Sequence, residues 1–184
     1  MKQIYIDSIT KAKSYYKDFS DVLHDLSHSE RVAENARAIA QELNYKDPDF
    51  LELCAFWHDV ARTLKKEPHE EAGAIMARDD LLARGAVQEL ANLAYEAIRF
   101  HKSTANPITV EGKIIRDADK LDIFSAVRWE RCIKAGWTEY YAEDLKKTVE
   151  NLQKYPAIFT YDYTKKLYQE RLPKFLKFCE SRNT

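Results

Sequence analysis

An all-α, single-domain bundle is the fold class that this sequence predicts, and three observations carry the prediction. Only four Gly and five Pro occur in 184 residues, few for a fold built on tight turns, against 45% apolar and 32% charged residues; this is the mixture that amphipathic helices need. Apolar residues recur at helical spacing through most of the chain. A chain of this length builds one full hydrophobic core and falls short of the size that forces a split. Residues 1–184 are therefore expected to form one domain, with a core over 20–135 and C-terminal helices over 138–180.

The elements follow in order. Residues 2–19 mix Ile4, Ile9, Tyr15 and Tyr16 with Lys and Asp, an amphipathic pattern that lays a first helix across the domain. Ser27 and Glu30 have capping-box spacing, which starts a helix at His28, with Val32, Ala36, Ile39 and Leu43 along one stripe. His28 shares that stripe and points toward the core, Arg31 follows one turn later, and His24 precedes the cap. Asp47-Pro48 opens a third helix. Its Phe50, Leu51, Leu53, Cys54, Ala55, Phe56 and Trp57 face every direction, so it is the central helix, ending in His58-Asp59. A polar loop with Arg62, Lys65 and Lys66 runs to Pro68, and a helix from His69 stops at Gly85. The next helix carries Val87, Leu90, Ala94, Ala97, Ile98 and His101 on one face, and a satisfied core histidine competes there with a functional one. Thr109 caps a long helix expected to continue to about Ala135, with Gly136 as its stop. Thr138 caps another that ends before Pro156, and a last helix runs from Tyr161 to Cys179, interrupted or kinked by Pro173.

Composition also excludes function classes. A net charge of −1 provides no overall field for a nucleic-acid polymer or an anionic membrane, so phosphate binding has to come from a local cluster. The C-terminal tyrosines sit among apolar positions without the basic groove of a single-strand binder. Cys54, Cys132 and Cys179 are odd in number and widely spaced, which argues against a disulfide framework and a thiolate metal site. With no signal-like apolar run at the start and no stretch of ~20 apolar residues, a cytoplasmic protein is expected.

The chemistry concentrates in few residues. His28, His58, Asp59 and Asp119 combine two imidazoles and two carboxylates, a set that suits a divalent ion such as Mn, Fe, Ni, Co, Zn or Mg. On the helix after Thr109, Ile115, Asp119, Asp122 and Ala126 share a face, whereas Asp117 points about 200° from Asp119 at about 100° per residue. Only one of Asp117 and Asp119 can enter a given cavity.

These residues resemble the HD-domain superfamily of metal-dependent phosphohydrolases, whose signature is a His, a His-Asp pair and a later Asp. The similarity covers about residues 20–180 and is greatest to small single-domain bacterial HD hydrolases. It rests on His24-Asp25-x-x-His28-x-x-Arg31-Val32 at one end, and at the other on His101 through Pro107, Thr109 and Glu111-Gly112-Lys113-Ile114-Ile115 into Asp117-Ala118-Asp119-Lys120-Leu121-Asp122. The resemblance implies an HD-type bundle with its metal site at the end of the central helix. It puts the ligands on His28, His58, Asp59 and Asp119, and places His69 and His101 beside the metal, where they could bind phosphate, protonate a leaving group or complete a second metal site. Arg62 stands where the alarmone-hydrolase and 5′-nucleotidase branches show a carboxylate, and the His-His pair of the cyclic-dinucleotide phosphodiesterases is missing. Those departures shift weight to the small nucleotide hydrolases.

The implied reaction is hydrolysis of a phosphate ester or anhydride by metal-activated water, on a small-molecule substrate of the nucleotide kind. Arg31, Arg62, Lys65 and Lys120 are the candidate phosphate clamps, the two arginines favoured for their bidentate grip. Asp122 is a candidate to orient the attacking water or to hold a ligand histidine. The rival reading is a metal-binding or ligand-sensing domain without turnover, and a homodimer is left open.

Overall fold

The computed structural model describes residues 2–182 and begins with seven helices: α1 (Lys2–Tyr15), α2 (Leu26–Glu42), α3 (Pro48–Trp57), α4 (Val60–Thr63), α5 (His69–Ala83), α6 (Gln88–Arg99) and α7 (Val110–Asp122). They are followed by α8 (Ala126–Lys134), α9 (Glu139–Glu150), a 3-10 turn over Leu152–Lys154, α10 (Tyr155–Ile158) and α11 (Asp162–Glu180). The protein is all-α, with no strand among the described residues, and forms a single domain. No helix among them is long and apolar enough to cross a membrane.

The third helix is central, as its composition predicts. Asp47 accepts from the Phe50 N–H at its N-terminus and Pro48 opens its first turn. Every residue from Phe50 to Trp57 except Glu52 is buried, against α1, α2, α5, α6 and α7. Full burial of each large side chain here contributes roughly 1.5–3 kcal/mol relative to exposure, enough to fix where the helix ends and hence where His58 sits.

Two apolar cores are joined by α7. The first packs α1–α3 with α5 and α6, and takes Ile114, Ile115 and Ala118 from α7. The second takes Leu121 from the same helix and closes around Phe124, whose ring meets Tyr155, Tyr168 and Phe175 edge-on at centroid distances of 4.9, 4.7 and 5.2 Å. The aromatic tail is thus packing material, held by T-shaped contacts. Cys54, Cys132 and Cys179 are buried.

Three expectations are corrected. Asp25, not Ser27, caps α2: its carboxylate accepts from the His28 N–H at 3.1 Å, and Ser27 Oγ instead accepts from Arg31 at 2.7 Å. The helix after Thr109 is not continuous to Ala135 but breaks between Asp122 and Ala126. Side chains satisfy the carbonyls freed there, Trp129 Nε1 donating to Ile123 O at 2.7 Å and Arg171 to Leu121 O at 3.1 Å; the break turns Phe124 and Trp129 into the second core. Finally, the segment after Asp59, expected as loop, forms the one-turn α4 before Pro68. The last helix runs through Pro173.

Candidate metal centre

Buried histidines and aspartates from α2, the end of α3 and α7 meet where the two cores adjoin. His28 Nε2 lies 3.2 Å from His58 Nε2, 3.8 Å from Asp59 Oδ2 and 3.4 Å from Asp119 Oδ1. His58 Nε2 is 3.5 Å from Asp59 Oδ2 and 4.0 Å from Asp119 Oδ1. Ligand bonds of about 2.0–2.2 Å put neighbouring donors of one ion roughly 3.0–3.5 Å apart and opposite ones up to about 4.4 Å; His28, His58 and Asp59 form a three-donor group on that scale, and Asp119 Oδ1, at 3.4 and 4.0 Å from the two imidazoles, adds a fourth candidate donor. The mixed imidazole and carboxylate donors suit a divalent transition ion.

Each imidazole is held from behind. His28 Nδ1 faces Asp122 Oδ2 at 2.7 Å, His58 Nδ1 faces the Ala55 carbonyl at 2.7 Å, and His101 Nδ1 faces the Ile98 carbonyl at 2.6 Å. A carbonyl only accepts, so the proton of His58 and His101 is on Nδ1 and the Nε2 lone pair points inward, the arrangement that metal-ligating histidines use. Burial keeps both rings neutral: His58 is lowered, and His101 is pushed down to about 3 by desolvation and then by the adjacent His58.

The carboxylates divide their oxygens. Asp59 gives Oδ2 to the four-donor cluster and Oδ1 to Arg62 Nε at 2.8 Å; Asp119 gives Oδ1 to the cluster and Oδ2 to Lys120 at 2.5 Å. Burial opposes both charges, but the Arg62 guanidinium beside Asp59, and Lys120 and His28 beside Asp119, outweigh it and hold the two carboxyls well below the usual range. Two carboxylates, Asp119 and Asp122, act on His28. Desolvation pulls its pKa down, yet Asp119 and Asp122 override that and push it up to about 9.

Asp59 Oδ1 also faces His69 Nε2 at 3.5 Å and His101 Nε2 at 3.7 Å, a second three-donor group sharing that carboxylate. The backbone makes this possible at Gly73, where a Cβ would stand 3.2 Å from Trp57 O and 3.3 Å from His58 O. Its absence lets α5 approach the end of α3 and brings His69 over Asp59. His101 lies just beyond α6, not in its last turn.

The basic residues go to different places. Arg62 and Lys120 line a cavity of about 510 Å³ that opens from the donor cluster, with Lys102, Lys154, Tyr155 and Ile158 among its other walls, a size that suits a small molecule. Arg31, expected as a phosphate clamp, is absent from this lining because its guanidinium is committed to Asp122, Nε at 2.6 Å and Nη2 at 3.0 Å. Lys65 is exposed and also outside the lining. Asp122 is fully buried behind His28 and does not reach the cavity, which removes it from contact with an attacking water and leaves the histidine-holding reading. Sequence reasoning missed Arg128, which is 4% exposed, donates to Leu23 O at 2.9 Å and stands 3.5 Å from both Asp122 Oδ2 and His28 Nδ1. Nothing in the local pattern of α8 separates it from the other basic residues of that helix.

The family model described as HD domain matches residues 25–123. Similar solved structures include a predicted HD superfamily hydrolase from an uncultured Thermotogales bacterium, 27% identical over 95% of this chain and 88% of that one, with a TM-score of 0.71. An HD-superfamily hydrolase from Bacillus thuringiensis is 24% identical over 98% and 96%, with a TM-score of 0.72. Bacillus subtilis YpgQ, solved in complex with ADP, is 22% identical over 97% and 94%, with a TM-score of 0.68. Among proteins of curated function, none matches.

Proposed function

Because the chain belongs to the HD domain family, its model matching residues 25–123, we propose that the protein is a metal-dependent phosphohydrolase acting on a nucleotide or a related phosphate ester or anhydride. The observation that carries this reading is the convergence of His28 Nε2, His58 Nε2, Asp59 Oδ2 and Asp119 Oδ1, five of whose six separations run from 3.2 to 4.0 Å, at the inner end of a ligand-sized cavity. A divalent ion bound there supplies Lewis acidity, lowering the pKa of a water and polarising a phosphoryl oxygen.

The chain's own groups do the rest. Asp122, held by Arg31 and Arg128, fixes the ring of His28. Arg62 and Lys120 offset the charge of Asp59 and Asp119, which lowers the repulsion that a phosphate would meet on approach. His101, neutral and with Nε2 turned inward, is placed to accept a hydrogen bond from a water or a protonated phosphoryl group. Lys102 and Lys154 add positive charge further along the walls. Similarity to a structure that holds ADP and the cavity volume support the nucleotide class.

The test is hydrolysis by Mn-loaded protein of nitrophenyl phosphate, bis-nitrophenyl phosphate and a nucleotide panel, read by mass. Inorganic phosphate marks a phosphatase, and pyrophosphate from a triphosphate marks attack at the α-phosphorus. Full metal loading with no release from any compound would replace the enzyme with a metal-binding sensor.

A further inference from the structure

We infer that the Arg62 guanidinium occupies the second cation position of this centre, so that the site takes one divalent ion and one built-in organic cation in place of a metal pair. The inference rests on the donor cluster above being the metal site. A second set of donors, Asp59 Oδ1, His69 Nε2 and His101 Nε2, adjoins the first and shares Asp59 with it; a carboxylate between two such groups is the layout of a two-metal centre. In this chain two of those three donors are already engaged. Arg62 Nε donates to Asp59 Oδ1 at 2.8 Å and Arg62 Nη2 to His69 Nε2 at 2.8 Å.

Arginine has no acceptor and does not lose its proton in proteins, so His69 Nε2 is the accepting partner, and its one lone pair is spent. That lone pair is what a metal would use. His69 Nδ1 therefore carries the proton, and it faces Glu67 Oε2 at 3.4 Å and Glu70 Oε2 at 3.5 Å, carboxylates able to receive it. Only His101 Nε2 is left over, and one imidazole does not hold an ion.

The local fold explains how Arg62 gets there. Asp59 is the N-cap of the one-turn α4, which sets Arg62 three residues on and directly above it. The arginine side chain is 29% exposed while the Asp59 side chain is 3% exposed, so the guanidinium covers the outer oxygen of a buried carboxylate from the cavity side. A divalent ion would have to displace it against like-charge repulsion. The consequence is chemical as well as steric, because a guanidinium supplies positive charge next to the first ion without supplying a second exchangeable water.

The experiment counts metal rather than turnover. Desalted Mn-loaded protein is analysed for manganese per chain and by electron paramagnetic resonance. The wild type is expected to hold one ion with the spectrum of isolated Mn²⁺, whereas Arg62→Ala and Arg62→Gln hold two, with the broadened signal of a coupled pair. Arg62→Ala/His69→Ala returns to one. Two ions in the wild type, or one ion in both single variants, overturns the inference while leaving the metal centre in place. Absence of manganese from the wild type overturns the centre and this inference together.

Discussion

His24-Asp25 and His58-Asp59 are the same dipeptide in two settings. The second pair follows a helix buried on all sides and inherits that burial, with His58 0% and Asp59 2% exposed and both side chains turned into the donor cluster. The first pair precedes a helix and is used to start it. Asp25 caps α2 and ion-pairs with Arg131, while His24 turns its Nδ1 to Asp21 at 2.8 Å. The difference teaches that a ligand pair is made by the element that delivers it. Burial removes water as a competitor, and fixed neighbours on the far side of each ring set its direction.

The largest effect should come from breaking the buried pair. His58→Ala removes one of the four donors and Asp119→Asn exchanges an anionic oxygen donor for a neutral one, so Mn²⁺ affinity is expected to fall by more than about 100-fold in each, measured by calorimetric titration. Chelating the wild type should lower its melting temperature, and the same chelation should leave that of His58→Ala unchanged.

Next in size is the support behind His28. Asp122→Asn keeps the shape but removes the anion facing Nδ1, and affinity is expected to drop by about 10–100-fold. The pH dependence sharpens this. In the metal-free protein the raised His28 pKa means that the ring carries a proton below about 9, and a metal must displace it; affinity should therefore rise with pH, about tenfold per unit from this group, and level off near 9. In Asp122→Asn the proton is held less tightly, so the plateau should begin at a lower pH. An unchanged profile would disconnect Asp122 from the ring.

Asp117 provides a contrast within one helix. It is fully buried on the face opposite the site, where it accepts from Thr160 N at 2.9 and 3.0 Å and from Tyr161 N at 3.2 Å. It ties the start of the last helix to α7. Asp117→Asn should cost about 1–3 kcal/mol of stability by denaturant unfolding, with metal content intact. Metal loss there, with retention in Asp119→Asn, would reverse the two faces.

The faces themselves were legible, because helical periodicity alone separates Asp117 from Asp119 and marks the helix that ends at His58. The buried apolar runs likewise announced the central helix. What stayed hidden depends on distant partners. Arg31 turns to Asp122, far along the chain, and no local pattern distinguishes that end point from a phosphate. The break after Asp122 depends on Trp129 and Arg171 reaching back for carbonyls, the second of them from α11. Arg62 was noticed by its position after the pair, but its contact with His69 requires the one-turn α4, which a polar stretch before a proline does not advertise.

The smallest effects belong to the helix-starting pair, and they make the comparison sharpest. Asp25→Ala removes an N-cap and an ion pair at the entry to α2, which should lower stability by about 0.5–2 kcal/mol without releasing manganese, since the His28 ring is still fixed by Asp122. His24 lines the cavity but lies outside the donor cluster, its side chain 17% exposed against 1% for His28. His24→Ala should keep manganese affinity within about threefold of wild type, because no donor is lost and its half-buried partner Asp21 lies outside the donor cluster. Titration of the two variants beside His58→Ala settles whether the dipeptides differ in kind. A loss in His24→Ala approaching that of His58→Ala would place His24 among the ligands, and the setting of a His-Asp pair would then no longer decide its role.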